Sequence, residues 1–504
     1  MDPRLRNIIV GVVSAGLAVW LGYALAEGGY FLASIIAALC VWTLIAWLRG
    51  PLAEAWILAF LVFAYVLGNR GFAQVTPVGG LPLFFGEIGL GISLAILMFR
   101  FAFKRELPIR RDWLNSMIVL WLALGIGRMF FDVRTYGFVA LRDFATLYYA
   151  FFLFVAQAAT QDAASRALLS KVLTTTFALL PITSLLSEAF PEFFLGVLTF
   201  RGIPVILYKG DLLATFLFAG FIWLMPRQSF DRRSDWWWAT LAILSLGLGL
   251  YYVSRAGMLG LMVALVWTAS ARWYRPSVVT AVVVLCGLIG ATVYSLLQER
   301  PFTETRVYAI YEHVESLADF SGTHAYLNAD AADSGDNNRF RLVWWRTIFN
   351  ETMAGGPLLG LGFGHDLARG FVLAYDPLME GDFTARSPHS IFFTVFARMG
   401  LVGLLSWSAF MIVLISESWR LAKISRDDTG ARDILAAHAM CWVILTSACF
   451  GVVLEGPMGA IPFWVLLGFA HGQAHARVEE ERSDSEAAAA IAPAATETPT
   501  EIIR

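Results

Sequence analysis

Residues 277–297 read Ser-Val-Val-Thr-Ala-Val-Val-Val-Leu-Cys-Gly-Leu-Ile-Gly-Ala-Thr-Val-Tyr-Ser-Leu-Leu, without a charged side chain. A helix of roughly 20 apolar residues crosses the hydrocarbon core of a bilayer, so this stretch predicts a membrane span. Similar runs recur on both sides of it, near 8–26, 30–48, 52–68, 82–103, 113–131, 137–158, 168–186, 211–225, 236–253, 257–271, 390–416, 434–454 and 457–472. Together they make about 14 candidate helices. The last run is short and flanked by Pro and Gly, so the reading is an all-α polytopic membrane bundle of about 12–14 transmembrane helices.

The bulk composition agrees. Of 504 residues, 58% are apolar and 15% charged, and mean hydropathy is +0.65. Soluble proteins carry roughly 45–50% apolar and about 25% charged residues, so a soluble globule is excluded. Net charge is −2, from 37 Lys+Arg against 39 Asp+Glu, and says little until its distribution is read. With the N-terminus in the cytoplasm and the spans alternating, one side collects about 21 basic residues and the short loops of the other about five. That bias predicts an even number of spans, with both termini cytoplasmic. The basic start Met1–Arg6 and the run from Ile8 read as a retained first span.

Four expected regions follow. An N-terminal transmembrane bundle covers 1–297, a long external loop folded as a partly helical cap covers 298–389, and C-terminal transmembrane helices cover 390–476. A disordered cytoplasmic tail covers 477–504, where Ala, Thr, Pro and Glu dominate. In the cap, Leu342, Trp345, Ile348 and Phe349 recur at helical spacing. The four cysteines, Cys40, Cys286, Cys441 and Cys449, all sit in apolar runs and read as packing residues. No cofactor and no metal site is expected: no metal-binding motif appears, and the acidic stretch Asp330–Asp336 lacks the EF-hand pattern.

The informative charges are those that defy the topology rule. Arg255, in Tyr251-Tyr-Val-Ser-Arg-Ala-Gly257, and Arg201, in Phe200-Arg-Gly-Ile-Pro204, fall in external hairpins beside the bilayer. Arginine suits phosphate because its planar fork makes bidentate, charge-assisted hydrogen bonds. Arg339 and Arg341 precede the Trp344-Trp345 pair in the external loop. His389 closes that loop and is placed to act as a general base near neutral pH. Within the spans Glu87, Arg128, Arg142, Asp143 and Arg398 are costly, and either pair with one another or line a wet cavity.

In order along the chain, Ala140-Leu-Arg-Asp143, Arg201, Ser254-Arg255, Arg341-Leu-Val-Trp-Trp345, Pro357-Leu-Leu-Gly-Leu-Gly-Phe-Gly364, His389-Ser390 and Arg398-Met-Gly-Leu-Val-Gly403 resemble the motifs of the O-antigen ligase/polymerase superfamily of bacterial membrane glycosyltransferases. Ser390 stands where that family usually has Asn. The resemblance implies a GT-C type, metal-independent, inverting transferase of the bacterial inner membrane. Its donor would be an undecaprenyl-diphosphate-linked glycan, taken on the periplasmic face. Its acceptor would be a hydroxyl of lipid A-core or of a growing surface polysaccharide. Arg201, Arg255, Arg339 and Arg341 would bind the diphosphate, with Arg339 and Arg341 competing for one role, and His389 would be catalytic. A lipid-linked sugar flippase or other multi-span transporter is the alternative. Nucleic acid has no place in either reading.

Overall fold

The computed structural model describes residues 51–77, 84–104, 110–225, 235–252, 254–298, 301–305, 308, 311–312, 315, 329–375, 385–423 and 429–491. The expected spans at 8–26 and 30–48, His313, His324 and the tail beyond residue 491 lie outside them. Each of the other 12 apolar runs in the sequence contains helix. In chain order the helices are α1 (Pro51–Gln74), α2 (Phe85–Lys104), α3 (Trp113–Tyr136), α4 (Phe138–Asp143), α5 (Ala145–Tyr148), α6 (Phe151–Ala159), α7 (Ala163–Ala189), α8 (Gly210–Leu224), α9 (Asp235–Tyr251), α10 (Arg255–Ser270), α11 (Arg275–Leu297), α12 (Ala329–Gly355), α13 (Arg369–Tyr375), α14 (Ile391–Leu421), α15 (Thr429–Ala448) and α16 (Pro457–Ile491). The one described sheet is a hairpin, β1 (Thr199–Phe200) against β2 (Ile203–Pro204).

Local chemistry sets the helix starts. The side chains of Asp112, Asp162 and Ser254 accept from the backbone N–H three residues on, at the heads of α3, α7 and α10, which satisfies donors a helix leaves open. Pro276 occupies the first turn of α11, where its missing N–H is harmless.

Among the described residues five helices, Leu52–Gln74 within α1, α3, α7, α11 and α14, are long and apolar enough to cross a membrane, and α4–α5 with α6 make a sixth candidate bent by 42°. The chain is therefore a multi-pass membrane protein, although among the described residues fewer helices meet that test than the 12 spans expected there. The shorter apolar helices α8, α9 and α10 explain part of the difference. α8 has 15 residues and is only about 22 Å long, against a hydrocarbon core of about 30 Å. It buries every residue from Leu212 to Leu224, so protein rather than lipid surrounds it. α11 is the opposite case: Val278, Val282, Leu285, Ile289 and Leu296 all face outward, as a lipid-facing helix requires. α10 and α15 approach until a Cβ on Gly260 would lie 2.5 Å from the Val443 carbonyl oxygen, the close contact small residues allow between membrane helices.

The cap is built on α12 and α13. Trp344, Ile348, Leu367, Ala368, Phe371 and Val372 pack together with Ala397 of α14. The inward face of α12 is thus Phe340, Trp344, Ile348 and Thr352, while Leu342 and Phe349 are exposed. This corrects the expected face by about one residue: with Trp344 and Trp345 adjacent, the apolar pattern is compatible with either rotation, and packing on Phe371 selects Trp344.

Helix also covers the first part of the stretch beyond residue 476. α16 continues to Ile491, with Arg477–Glu481 and Arg482–Glu486 pairs one turn apart, both at 2.8 Å. Arg110 and Arg166 reach Glu479 and Glu480 at 3.4 and 2.7 Å, which fastens this helical extension to the bundle.

Candidate active site

The cap end of the bundle gathers His389, Arg341, Lys209 and Asp211. Three local structures aim them. The first is the start of α14: Trp345 Nε1 donates to the Pro388 carbonyl at 2.7 Å and its ring stacks on Phe393, centroids 5.0 Å apart. His389 is thereby held with φ at 56°, a left-handed conformation that costs a non-glycine residue about 1–2 kcal/mol. Such strain persists only where the surroundings impose it, and concentrates at functional sites. The imidazole lies edge-on to Trp344 at 5.6 Å and to Phe340 at 6.2 Å.

The second structure is the end of α1. Asn69 leaves helical geometry with φ 49° and bridges to Leu207. Its side-chain oxygen accepts from the Lys209 N–H at 3.1 Å. Fully buried, Asn69 so anchors the segment that delivers Lys209 and Asp211, whose charged ends lie 3.3 Å apart.

The third is α12 itself. It carries Arg341, half-buried, with a buried Nε that has no hydrogen-bond partner. Burial pushes the Arg341 guanidinium below its usual range, and Asp211 opposes that shift. For His389, burial first, then the positive charges of Arg341 and Lys209, push the imidazole down to about 4, with Asp211 opposing. The ring is therefore neutral at physiological pH, and its buried Nδ1 has no hydrogen-bond partner.

Arg255 opens α10 and donates from Nη1 to the Asn338 side chain at 3.0 Å, which ties the 254–255 hairpin to α12 beside Arg339. Arg339 is exposed, with its guanidinium 5.9 Å from the Tyr375 ring centre, turned differently from Arg341. Arg201 occupies the β1–β2 turn with φ 50°, followed by Gly202 at 79°, the pair of positive values that a two-residue hairpin turn demands. It is exposed and lies over its neighbour Phe200 at 5.4 Å. From that segment Lys209 and Asp211 act on His389, and sequence reasoning passed over both as site residues although the charged pair beside an apolar run was visible.

Beside this cluster lies a cavity of about 240 Å³, lined among others by Arg142, Asp143, Arg386, Thr394, Arg398 and Glu455. Asp143 bridges Arg398 at 2.8 Å and Arg386 at 3.3 Å. Arg398 Nη1 also donates to the carbonyls of Gly362 and His365, at 3.0 and 2.7 Å. These bonds hold the turn Pro357–Gly364 on the bundle. Gly360, Gly362 and Gly364 all have positive φ, and a Cβ on Gly362 would come within 2.5 Å of Asp132, so the turn tolerates no side chain there. Asp132 receives the Phe363 N–H at 2.7 Å and pairs with Arg128 at 3.1 Å.

The ionisable groups of the spans are thus largely accounted for by pairing. Glu87 also belongs to that class, accepting from Tyr148 at 2.8 Å and Tyr149 at 2.5 Å. Arg142 is exposed and lines the cavity. Glu455 is another residue missed from the sequence. It follows an apolar run at a span boundary, accepts from Thr394 at 2.7 Å, and burial lifts it to about 7, with Thr394 the largest opposing influence.

No curated protein matches the chain. The family model described as O-antigen ligase matches residues 239–408, a segment that runs from α9 through the cap into α14. It contains Arg255, Arg339, Arg341 and His389, and leaves Arg201 and Lys209 outside. That match supports the O-antigen ligase/polymerase superfamily, the family the motifs of the chain resemble.

Proposed function

We propose that this protein transfers a glycan from an undecaprenyl-diphosphate carrier to an acceptor hydroxyl at the periplasmic face of the bacterial inner membrane, without a metal ion and with inversion. The observation that carries this reading is a neutral imidazole, His389, beside a half-buried arginine, Arg341, whose Nε has no protein partner. A group that must accept a proton needs to be unprotonated at working pH, and a buried, unpaired guanidinium edge is matched by a phosphate oxygen.

His389 takes the proton of the acceptor hydroxyl as that oxygen attacks the anomeric carbon from the side opposite the diphosphate. The bond from the anomeric carbon to the phosphate oxygen breaks, and its electron pair leaves with the diphosphate. Arg341, Lys209 and Arg255 stabilise the developing charge, the role a metal plays elsewhere. In this reading Arg341 is the loop arginine, Arg339 contributes to the rim, and Arg201 guides the donor from the exposed hairpin. The acceptor, lipid A-core or a growing surface polysaccharide, approaches beneath the cap, which holds both reactants together.

The test is transfer in vitro with purified protein and a lipid-diphosphate glycan, with the acceptor varied and a chelator present. Product on a lipid A-core acceptor identifies a ligase, and lengthened chains identify a polymerase. Movement of the lipid-linked glycan across vesicles with no product would replace this reading by the transporter alternative. Full transfer by the His389→Ala variant would refute the mechanism.

A further inference from the structure

At the end of the bundle away from the cap, His471, His475 and Asp112 converge. His471 and His475 lie one turn apart on α16, their rings 4.6 Å apart. Asp112 precedes α3. One ligand atom from each lies within 4.8 Å of the others, the one such trio among the described residues. His471 Nε2 is 3.1 Å from Asp112 Oδ2, and His475 Nε2 is 4.0 Å from the same oxygen. Ligand atoms bound at ~2.0–2.1 Å in a tetrahedral zinc site sit about 3.3 Å from one another, so His471 and Asp112 already have that spacing and His475 must close on Asp112 by about 0.7 Å to reach it.

We propose that Asp112, His471 and His475 form a binding site for a divalent transition ion of the zinc class, which clamps α16 to the start of α3. Three further features support it. The buried Nε2 of His475 has no hydrogen-bond partner, although it is aimed at the carboxylate; buried polar atoms are rarely left so unless water or an ion completes them. Asp112 is itself oriented by outer partners, as metal-ligating carboxylates are. Asn115 donates to it from its backbone N–H at 2.8 Å and its side chain at 3.0 Å, and Asn115 and Gln157 exchange two bonds of 3.0 and 2.9 Å. Finally, the neighbouring cations are already paired, Arg110 with Glu479 and Arg420 with Glu417, so their repulsion of a cation is reduced. Two imidazoles and one carboxylate leave the fourth position for water, and this donor set suits zinc, cobalt or iron rather than calcium or magnesium.

The clamp is distinct from the transfer site. His389 precedes the first residue of α14 and Arg420 lies in its last turn, a helix ~45 Å in contour length. The experiment is zinc titration of the full chain in nanodiscs after chelator treatment, by calorimetry and by competition with a chromophoric chelator. The expected result is one zinc per chain, tetrahedral absorption when cobalt replaces it, and a thermal midpoint raised by zinc. Among the described residues His475→Ala removes no hydrogen bond, so its apo form should differ in its melt only by the lost ring contact with His471. It should bind zinc at least about 100-fold more weakly, because loss of an outer-shell partner alone costs ~10–100-fold. His475→Gln, which keeps a polar side chain, serves if the alanine variant does not fold. Absence of stoichiometric zinc, or unchanged zinc affinity in the His475 variants, would overturn the proposal. Transfer that persists in chelator fits a remote clamp; transfer lost in chelator and restored by zinc would overturn that placement.

Discussion

The pH profile of transfer tests the His389 assignment most directly. Burial, then Arg341 and Lys209, push this imidazole down to about 4. An unperturbed histidine titrates near ~6.5. At about pH 5.5 the perturbed ring is roughly 97% neutral, while an ordinary one would be only about 9% neutral, a tenfold difference in competent base. The acid limb of kcat/KM reports the free enzyme, so kcat/KM should stay nearly flat from pH 7.5 down to about 5.5 and fall only towards pH 4. The limb of kcat should lie at higher pH than that of kcat/KM, because the bound diphosphate adds negative charge beside the ring and favours its protonated form. Lys209→Met removes a positive neighbour and should move the kcat/KM limb upward. The assay is initial-rate transfer in a constant-ionic-strength buffer series with purified protein. A kcat/KM limb near pH 6.5 in the parent, or a limb displaced downward by Lys209→Met, would refute this account of the base.

Three further outcomes follow from the geometry. Arg341→Ala should lower kcat by ~10²–10³, the cost of removing one charge-stabilising donor, while Arg339→Ala, exposed over Tyr375, should change it by only a few-fold; steady-state transfer compares them. Asp143→Ala leaves Arg398, 4% exposed, without its carboxylate, and should destabilise the fold by about 3–5 kcal/mol, read as a lower unfolding midpoint in detergent and early proteolysis of the Pro357–Gly364 turn. Burial lifts Glu455 from 4.5 to about 7, so between those values the folded chain holds a proton that the unfolded chain has released. The stability this group contributes is present at low pH and lost as pH rises through 7. Glu455→Gln should therefore gain stability relative to the parent as pH rises across that window, and equal pH dependence of the two melts would contradict the assignment.

What was legible in the linear chain was whatever depends on neighbours in sequence. Runs such as 277–297 announce spans because a bilayer demands a minimum apolar length. Arg255 and His389 stood out because each breaks a local rule beside such a run, and the Gly360–Gly364 pattern announced a turn. Nothing local could decide which face of α12 turns inward, since a one-residue change rotates a helix by about 100°. That rotation separates Arg341, beside His389, from Arg339, over Tyr375.

The sequence by itself determined that this is a multi-helix membrane protein with cations and a histidine at membrane boundaries, because hydrophobic length and charge placement are properties of the chain read in order. Tertiary structure alone decided which of those groups meet. Asp211 faces His389, Asp143 grips Arg398 and Arg386, and Asp112 joins His471 and His475, because helices distant in sequence pack side by side and a buried charge must find its partner wherever the bundle brings one.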